Sequence, residues 1–247
     1  MKILALETTG KYGSAAVIDD GRVYCAESSG EMNHLKEIIK ITGEALEAAG
    51  ITKKELTHIA ASVGPGSFTG IRIGVTVART MAQMLDLPCV AVSSLESMAE
   101  NVKTAAMESG CETVAAVINA RRHQTYAGAW SIKDGKLINL LDDRQYMIEE
   151  FLEQLAGNRV YFVGDGIDAY EEIIQAETGL EAYVMAEGKL RYQTAEAVAK
   201  LAAEAASEGN VVGYEELMPD YMRLSEAEQR LKEGTLSDKI KKLNRRG

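Results

Sequence analysis

The chain opens with short apolar runs broken by turn residues. Residues 3–8 (ILALET) read as a buried strand, a Thr-Gly turn follows, and residues 14–18 form a second apolar run. Asp19-Asp20-Gly21 then leads into a third run over 23–26. An Asp-Gly pair between strand-like runs marks a tight hairpin, because glycine adopts the positive φ angles that such a turn needs. Three antiparallel strands are therefore expected at the start.

Roughly 113 residues later the same plan is written again, in VAAVINARRHQTYAGAWSIKDGKLINL. A strand, a polar turn, a second strand, Lys133-Asp134-Gly135 and a third strand follow in order. Ile18-Asp19-Asp20-Gly21-Arg22-Val23 aligns with Ile132-Lys133-Asp134-Gly135-Lys136-Leu137. Order and spacing repeated at one long period point to a duplicated domain.

After each triplet the period changes. Leu35, Ile38, Ile39, Thr42, Ala45, Leu46 and Ala49 recur at helical spacing, and Gly50 supplies a C-terminal stop. A strand over 58–63 leads through Gly64-Pro65-Gly66-Ser67 into a helix over 68–85, and a strand over 88–92 follows. In the second half, helices over 148–155, 169–176 and 194–207 surround strands over 160–163 and 182–185. Such alternation implies parallel strands joined by crossover helices. The expected fold class is α/β: a duplicated ribonuclease H-like fold, the layout of actin, Hsp70 and the sugar kinases. Its two domains would each hold a mixed five-stranded sheet and flanking helices. They are expected over 1–106 and 107–225, with the boundary near 104–111 and a charged, basic-ended tail over 226–247.

Composition narrows the function. Apolar residues make up 46% of the chain and charged residues 26%, which suits packed cores. The net charge is −10, yet the last sixteen residues hold six Lys or Arg against Glu233 and Asp238, so the body is more acidic than the total. An acidic body repels phosphate backbones, which argues against tight RNA binding by this chain alone. The opening residues lack the apolar centre and cleavage site of a signal peptide. No apolar run reaches the roughly 18 residues of a membrane helix, so a cytoplasmic protein without membrane association is expected. Cys25, Cys89 and Cys111 are widely spaced with no CxxC and read as reduced thiols in or near the core. Asp142-Asp143 and Glu149-Glu150 read as solvated surface.

The most distinctive stretch is GPGSFTGIRIG, from Gly64 to Gly74. It reads as a tight strand-to-helix turn with Ser67 capping the helix. The N–H groups of a helix N-terminus could also hold an anion there. The stretch lacks the Gly-Lys-Ser/Thr of a nucleotide P-loop and the GxGxxG of a dinucleotide site, so both readings stay open. The histidines are His34, His58 and His123, and no HExxH pairs any of them as metal ligands. His34 reads as a capping or interface residue, and no catalytic residue is named.

MKILALETT at the start, NHLKEII on the first helix, GPGSFTGIRIG after a strand, INARRHQTY opening the second half and Pro219-Asp220-Tyr221-Met222-Arg223 resemble the TsaB family, also called YeaZ, over about residues 1–225. That family is related to TsaD, also called Kae1, which transfers a threonylcarbamoyl group to adenosine 37 of tRNAs reading codons that start with A. The resemblance implies a non-catalytic scaffold that dimerises with and activates TsaD. The ATPase TsaE joins the pair, a homodimer forms when the chain is alone, and tRNA is met only within the complex. TsaD presents two metal-binding histidines at an HxxxH spacing. Here His34 is followed at the second position by Ile38, so no metal is expected. ATP, magnesium and the metal would belong to the partner subunits, and this chain would bind no cofactor of its own.

Kinases and ATPases of the superfamily hold magnesium and phosphates with an acidic residue in each hairpin loop. Glu7-Thr8-Thr9-Gly10 passes as a vestigial phosphate or anion loop, with Gly66 and Ser67 beside it. Its counterpart, Asn119-Ala120-Arg121-Arg122, has no carboxylate, and Gly164-Asp165-Gly166 is only weakly similar to an adenosine-binding turn. The competing function is an independent ATP-dependent small-molecule kinase, which would need a carboxylate-lined cleft between the halves.

For a scaffold, the candidate surface is the first-half helix pair. Apolar residues wrap further round the first helix than one core stripe requires, and the second mixes small and apolar residues suited to close helix contact. The expected partner face comprises His34, Leu35, Ile38, Ile39, Thr42 and Ala45 on the first helix, with Arg72, Val75, Thr76 and Arg79 on the second. Burial of both helices inside the chain would explain the same pattern. The tail reads as solvated, or as a contact for tRNA or the partner.

Overall fold

The computed structural model describes residues 1–30, 34–121, 123–176 and 179–222. The tail expected over 226–247, Arg122 of the second hairpin loop, and the side chains of His34 and Leu35 lie outside the described residues.

Two five-stranded sheets carry the fold. The first holds β1 (Lys2–Glu7), β2 (Ser14–Asp19), β3 (Arg22–Glu27), β4 (His58–Gly64) and β5 (Cys89–Ser93) in the order β3-β2-β1-β4-β5. The second holds β6 (Thr113–Asn119), β7 (Gln124–Lys133), β8 (Lys136–Met147), β9 (Arg159–Val163) and β10 (Ala182–Met185) in the order β10-β9-β6-β7-β8. Written from the other edge, the second order matches the first strand for strand. In each sheet the opening strand pairs antiparallel with the second and parallel with the fourth. The chain thus has the duplicated ribonuclease H-like fold that its repeated pattern predicts.

Helices fill the same slots in both halves. α1 (His34–Ala48) and α4 (Ile148–Glu153) follow the triplets, while α2 (Phe68–Leu85) and α5 (Gly166–Ala176) cross between the parallel strands. α3 (Ser94–Glu108) and α6 (Ala195–Ser207) close each unit. α3 is absent from the sequence-based expectation. Its apolar residues Leu95, Met98, Ala99, Val102 and Ala106 stand at i, i+3, i+4, i+7 and i+11, the spacing of one helical face, so the sequence does carry the signal for it.

The closing helices are exchanged. α3 packs those five residues against β6, β7 and β9 of the second sheet. α6 sets Ala195, Val198, Ala199 and Ala202 against Ile3, Ala5, Ala16, Ile18, Ala60, Val90 and Val92 of the first. The opposite face of that sheet, with Leu4, Leu6, Ala15, Val17, Ile59 and Ala61, is covered by Ile38, Ile41 and Ala45 of α1 and Ile71, Val75, Ala78 and Ala82 of α2. Burial on both faces is why β1 is continuously apolar instead of alternating.

Beyond α6 the chain returns to the first sheet. Val212 exchanges backbone hydrogen bonds with Cys89 at 2.8 and 2.9 Å, Leu217 is fully buried, and Asp220 N donates to Val63 O at 2.8 Å. Among the described residues no helix is long and apolar enough to cross a membrane.

Candidate functional site

The β1–β2 loop and the N-terminus of α2 are fastened to each other. Ser67 N donates to Thr9 O at 2.8 Å, Ser67 Oγ accepts from Gly70 N at 3.2 Å, and Thr8 Oγ1 donates to Gly70 O at 2.7 Å. The approach is close enough that a Cβ on Gly70 would stand 1.9 Å from Thr8 O, which explains a glycine inside a helix. GPGSFTG is therefore a packing motif, and part of the donor set of the helix N-terminus is already used within the chain.

Glu7 does not reach the cleft. It is fully buried, and its Oε1 accepts from Thr9 N at 2.5 Å and Thr9 Oγ1 at 2.6 Å. Burial pushes its pKa above the usual carboxylate value, against the opposing influence of Ser62, Thr9 and Gly10. Ser62 lies close enough to favour the ionised form. Yet neither Ser62 Oγ nor Glu7 Oε2 has a hydrogen-bond partner of good geometry. Of the expected anion loop, Thr9, Gly10, Gly66 and Ser67 line a cleft between the halves with a volume of about 420 Å³, and Thr8 is buried behind it.

The opposite wall of that cleft carries a carboxylate from another place than the hairpin. Asp165, in the β9–α5 turn, accepts from Asn119 N at 3.2 Å, and Asn119 Oδ1 in turn accepts from Arg121 N at 2.8 Å and the Tyr170 hydroxyl at 3.2 Å. Asp165 is open to the cleft, but the surrounding protein raises its pKa, chiefly by desolvation. The signal that locates it is the repeat itself, since Gly164-Asp165-Gly166 occupies the slot of Gly64-Pro65-Gly66. Lys11 also lines the cleft, with its Nζ 5.5 Å from the rings of both Tyr12 and Tyr192. Among the described residues no group of three or more His, Cys, Asp or Glu could hold a metal ion.

Two surface expectations need correction. Asp143 is not solvated. It accepts a hydrogen bond from Ser93 Oγ, which caps α3, and burial lifts its pKa to about 6 despite that bond, helped by the charges of Asp220 and Asp142. Cys25 is exposed instead of core, since it lies on edge strand β3, while Cys89 and Cys111 are buried.

The proposed partner face divides in two. Ile38, Thr42, Ala45 and Val75 are at most 5% exposed and belong to the chain's own core, so apolarity at those positions reflects packing on the first sheet. Ile39 is 68% exposed, Arg72 and Thr76 are exposed, and Arg79 is half-buried with its Nη1 3.3 Å from Met218 Sδ. Phe68, missed by the sequence reasoning, is 48% exposed. It lies between the Tyr221 ring, stacked at 4.8 Å, and the Arg72 guanidinium, 5.2 Å from its centroid.

Comparison with known proteins supplies the context. A family model described as "TsaD: tRNA N6-adenosine threonylcarbamoyltransferase" matches residues 28–231. The tRNA threonylcarbamoyladenosine biosynthesis protein TsaB of Bacillus subtilis (strain 168) is 30% identical over 231 residues, covering 92% of this chain and 96% of the relative. The TsaB of Escherichia coli (strain K12) is 29% identical, covering 94% and 98%. The solved structure of YeaZ from Pseudomonas aeruginosa superposes with a TM-score of 0.75 at 27% identity, covering 89% of this chain and 99% of that one. Matches of this length to relatives of almost the same extent, joined to the duplicated fold, show that the chain belongs to the TsaB (YeaZ) family.

Proposed function

We propose that this chain serves formation of N6-threonylcarbamoyladenosine at position 37 of tRNAs reading ANN codons, as a non-catalytic scaffold that pairs with a TsaD-type subunit and is joined by TsaE. The observation that carries the non-catalytic part is the state of the first hairpin loop. Its carboxylate, Glu7, is buried and bonded to Thr9. An acid so placed is not available to hold magnesium against a nucleotide phosphate in the cleft.

The relatives' name supports the pathway. The exposed residues of α1 and α2 support the pairing, because Ile39 on α1 and Phe68 on α2, the latter beside Arg72, are large apolar groups left exposed. Aromatic and Arg anchors of this kind dominate protein interfaces. The acidic body supports a subsidiary role in tRNA contact.

The test is to purify the chain with and without the TsaD-type protein of the same organism. Mass is read by light scattering, and tRNA modification from threonylcarbamoyl-AMP is assayed in each sample. A heterodimer with modification only when both proteins are present is expected. Modification, or ATP turnover, by this chain alone would return the cleft to the kinase reading.

A further inference from the structure

The cleft between the halves has no role in a scaffold, yet its lining is chemically specific. Two side chains of opposite charge face it, Lys11 from the β1–β2 loop on one wall and Asp165 from the β9–α5 turn on the other. Much of the remaining lining is apolar or aromatic, with Met98, Ile118, Tyr126 and Tyr192. We propose that the cleft binds a small zwitterion of the amino-acid class, a free apolar amino acid or a dipeptide, with its ammonium on Asp165 and its carboxylate on Lys11. This binding does not depend on the pairing proposed above.

The balance of charge selects the ligand. A simple anion that reaches Lys11 has the Asp165 carboxylate in the same cleft, and a simple cation that reaches Asp165 has the Lys11 ammonium. A nucleoside triphosphate sets several negative charges against one lysine. A zwitterion alone satisfies both walls, and an apolar side chain or backbone between its charges suits the remaining surface.

Both charged groups are held in position. Lys11 Nζ stands 5.5 Å from the centroids of Tyr12 and Tyr192, whose rings pack edge to face at 5.4 Å. Ser67, the N-cap of α2, lines the same wall, so the helix adds partial positive charge on the side of the ligand carboxylate. Asp165 accepts from Asn119 N at 3.2 Å, and a carboxylate with about four acceptor sites retains capacity for an ammonium. Desolvation raises the Asp165 pKa, and a bound ammonium returns to its ionised form the stabilisation that desolvation removes.

Size agrees with this class. The volume of about 420 Å³ lies near the lower end of the roughly 300–1,000 Å³ of small-molecule sites. An extended dipeptide separates its termini by about 7 Å, whereas a free amino acid carries both charges on one carbon, so the two differ in the span that they offer to opposite walls.

The experiment titrates the full-length chain with L-leucine and with L-alanyl-L-leucine, followed by ligand-observed NMR. Each is compared with its N-acetylated form, which lacks the ammonium, and its C-terminal amide, which lacks the carboxylate. At least one zwitterion is expected to bind, with both of its one-charge derivatives about tenfold weaker or more, and the tighter zwitterion gives the span. Asp165→Asn should weaken that zwitterion about tenfold without weakening the N-acetylated form, and Lys11→Met should do so without weakening the amide. No binding of either zwitterion at millimolar concentration overturns the proposal. A one-charge derivative that binds as tightly as its zwitterion, or an affinity that neither substitution moves, overturns it as well. The derivatives test the charge rule on the unaltered chain, so the outcome is decided even where a variant fails to fold.

Discussion

The opening hairpin and the following strand-to-helix turn of each half share one backbone plan, but they carry their carboxylates in different places. In the first half the acid is on the hairpin, as Glu7, and the β4–α2 turn has none. In the second half the hairpin offers Asn119 and the acid is on the β9–α5 turn, as Asp165. The strand-end glycines nonetheless both take positive φ, 122° at Gly64 and 110° at Gly164. A Cβ there would stand 2.1 Å from Asp220 O or 2.2 Å from Val117 O. Duplication has preserved the positive-φ glycine at the strand end while each acid is tied to its own half. Glu7 is buried beside Thr9, and Asp165 is bonded to Asn119. Two carboxylates facing one another across the cleft, which magnesium-assisted phosphate chemistry would use, are not what this arrangement presents.

The largest expected effect tests the shared plan. Gly64→Ala and Gly164→Ala should each cost about 3 kcal/mol of stability, since a side chain must adopt a disfavoured φ and also displace a backbone oxygen. Urea denaturation of the two variants measures this. Equal losses sharpen the equivalence of the turns. A neutral Gly164→Ala would break it, by showing that the second turn can relax where the first cannot.

The duplicated plan was legible because strand triplets announce themselves through Asp19-Asp20-Gly21 and Lys133-Asp134-Gly135, both of which form the expected turns with positive φ at residues 20, 21, 134 and 135. α3 was legible in the helical spacing of Leu95, Met98, Ala99, Val102 and Ala106, although the expectation omits it; what the sequence does not say is which sheet a helix will cover, and α3 crosses to the other one. The same limit governs the site. Ile38 and Ile39 are the same residue type one position apart, and the sheet beneath α1 separates the buried one from the exposed one. Asp143 resembled a solvated pair with Asp142, since its bond to Ser93 is 50 residues distant in sequence.

Asp143 gives the next effect in size and extends the comparison, as the acid that joins the halves instead of staying within one. Its pKa in the folded chain is about 6, against an ordinary 3.8. A raised value means that its contribution to stability is fully present below about pH 4 and is lost as pH rises through about 6. Asp143→Asn should therefore raise stability at pH 8 by about 2 kcal/mol and leave it unchanged near pH 4. Thermal unfolding at the two pH values checks this. Destabilisation at pH 8 would mean that the charged bond to Ser93 outweighs the burial.

The smallest effect distinguishes the two acids with which the comparison began. Glutamine at position 7 keeps an oxygen for Thr9 N and Thr9 Oγ1 and places an amide donor where Glu7 Oε2 now stands without a partner, near the equally unpartnered Ser62 Oγ. Satisfying a buried polar group is worth about 1 kcal/mol, so Glu7→Gln should stabilise the chain by that amount at pH 8. The gain should shrink on acidification. The raised pKa of Glu7 means that the wild-type chain recovers stability as the carboxyl takes up a proton and acquires a donor of its own. Asp165→Asn leaves the bond from Asn119 N intact on a side chain open to the cleft, and should change stability by less than about 0.5 kcal/mol at either pH. Unfolding curves of both variants at pH 5 and pH 8 separate the cases. A gain at Asp165 matching that at Glu7 would show that the cleft wall is as desolvated as the core behind the first hairpin, and the contrast between the halves would then reside in sequence position alone.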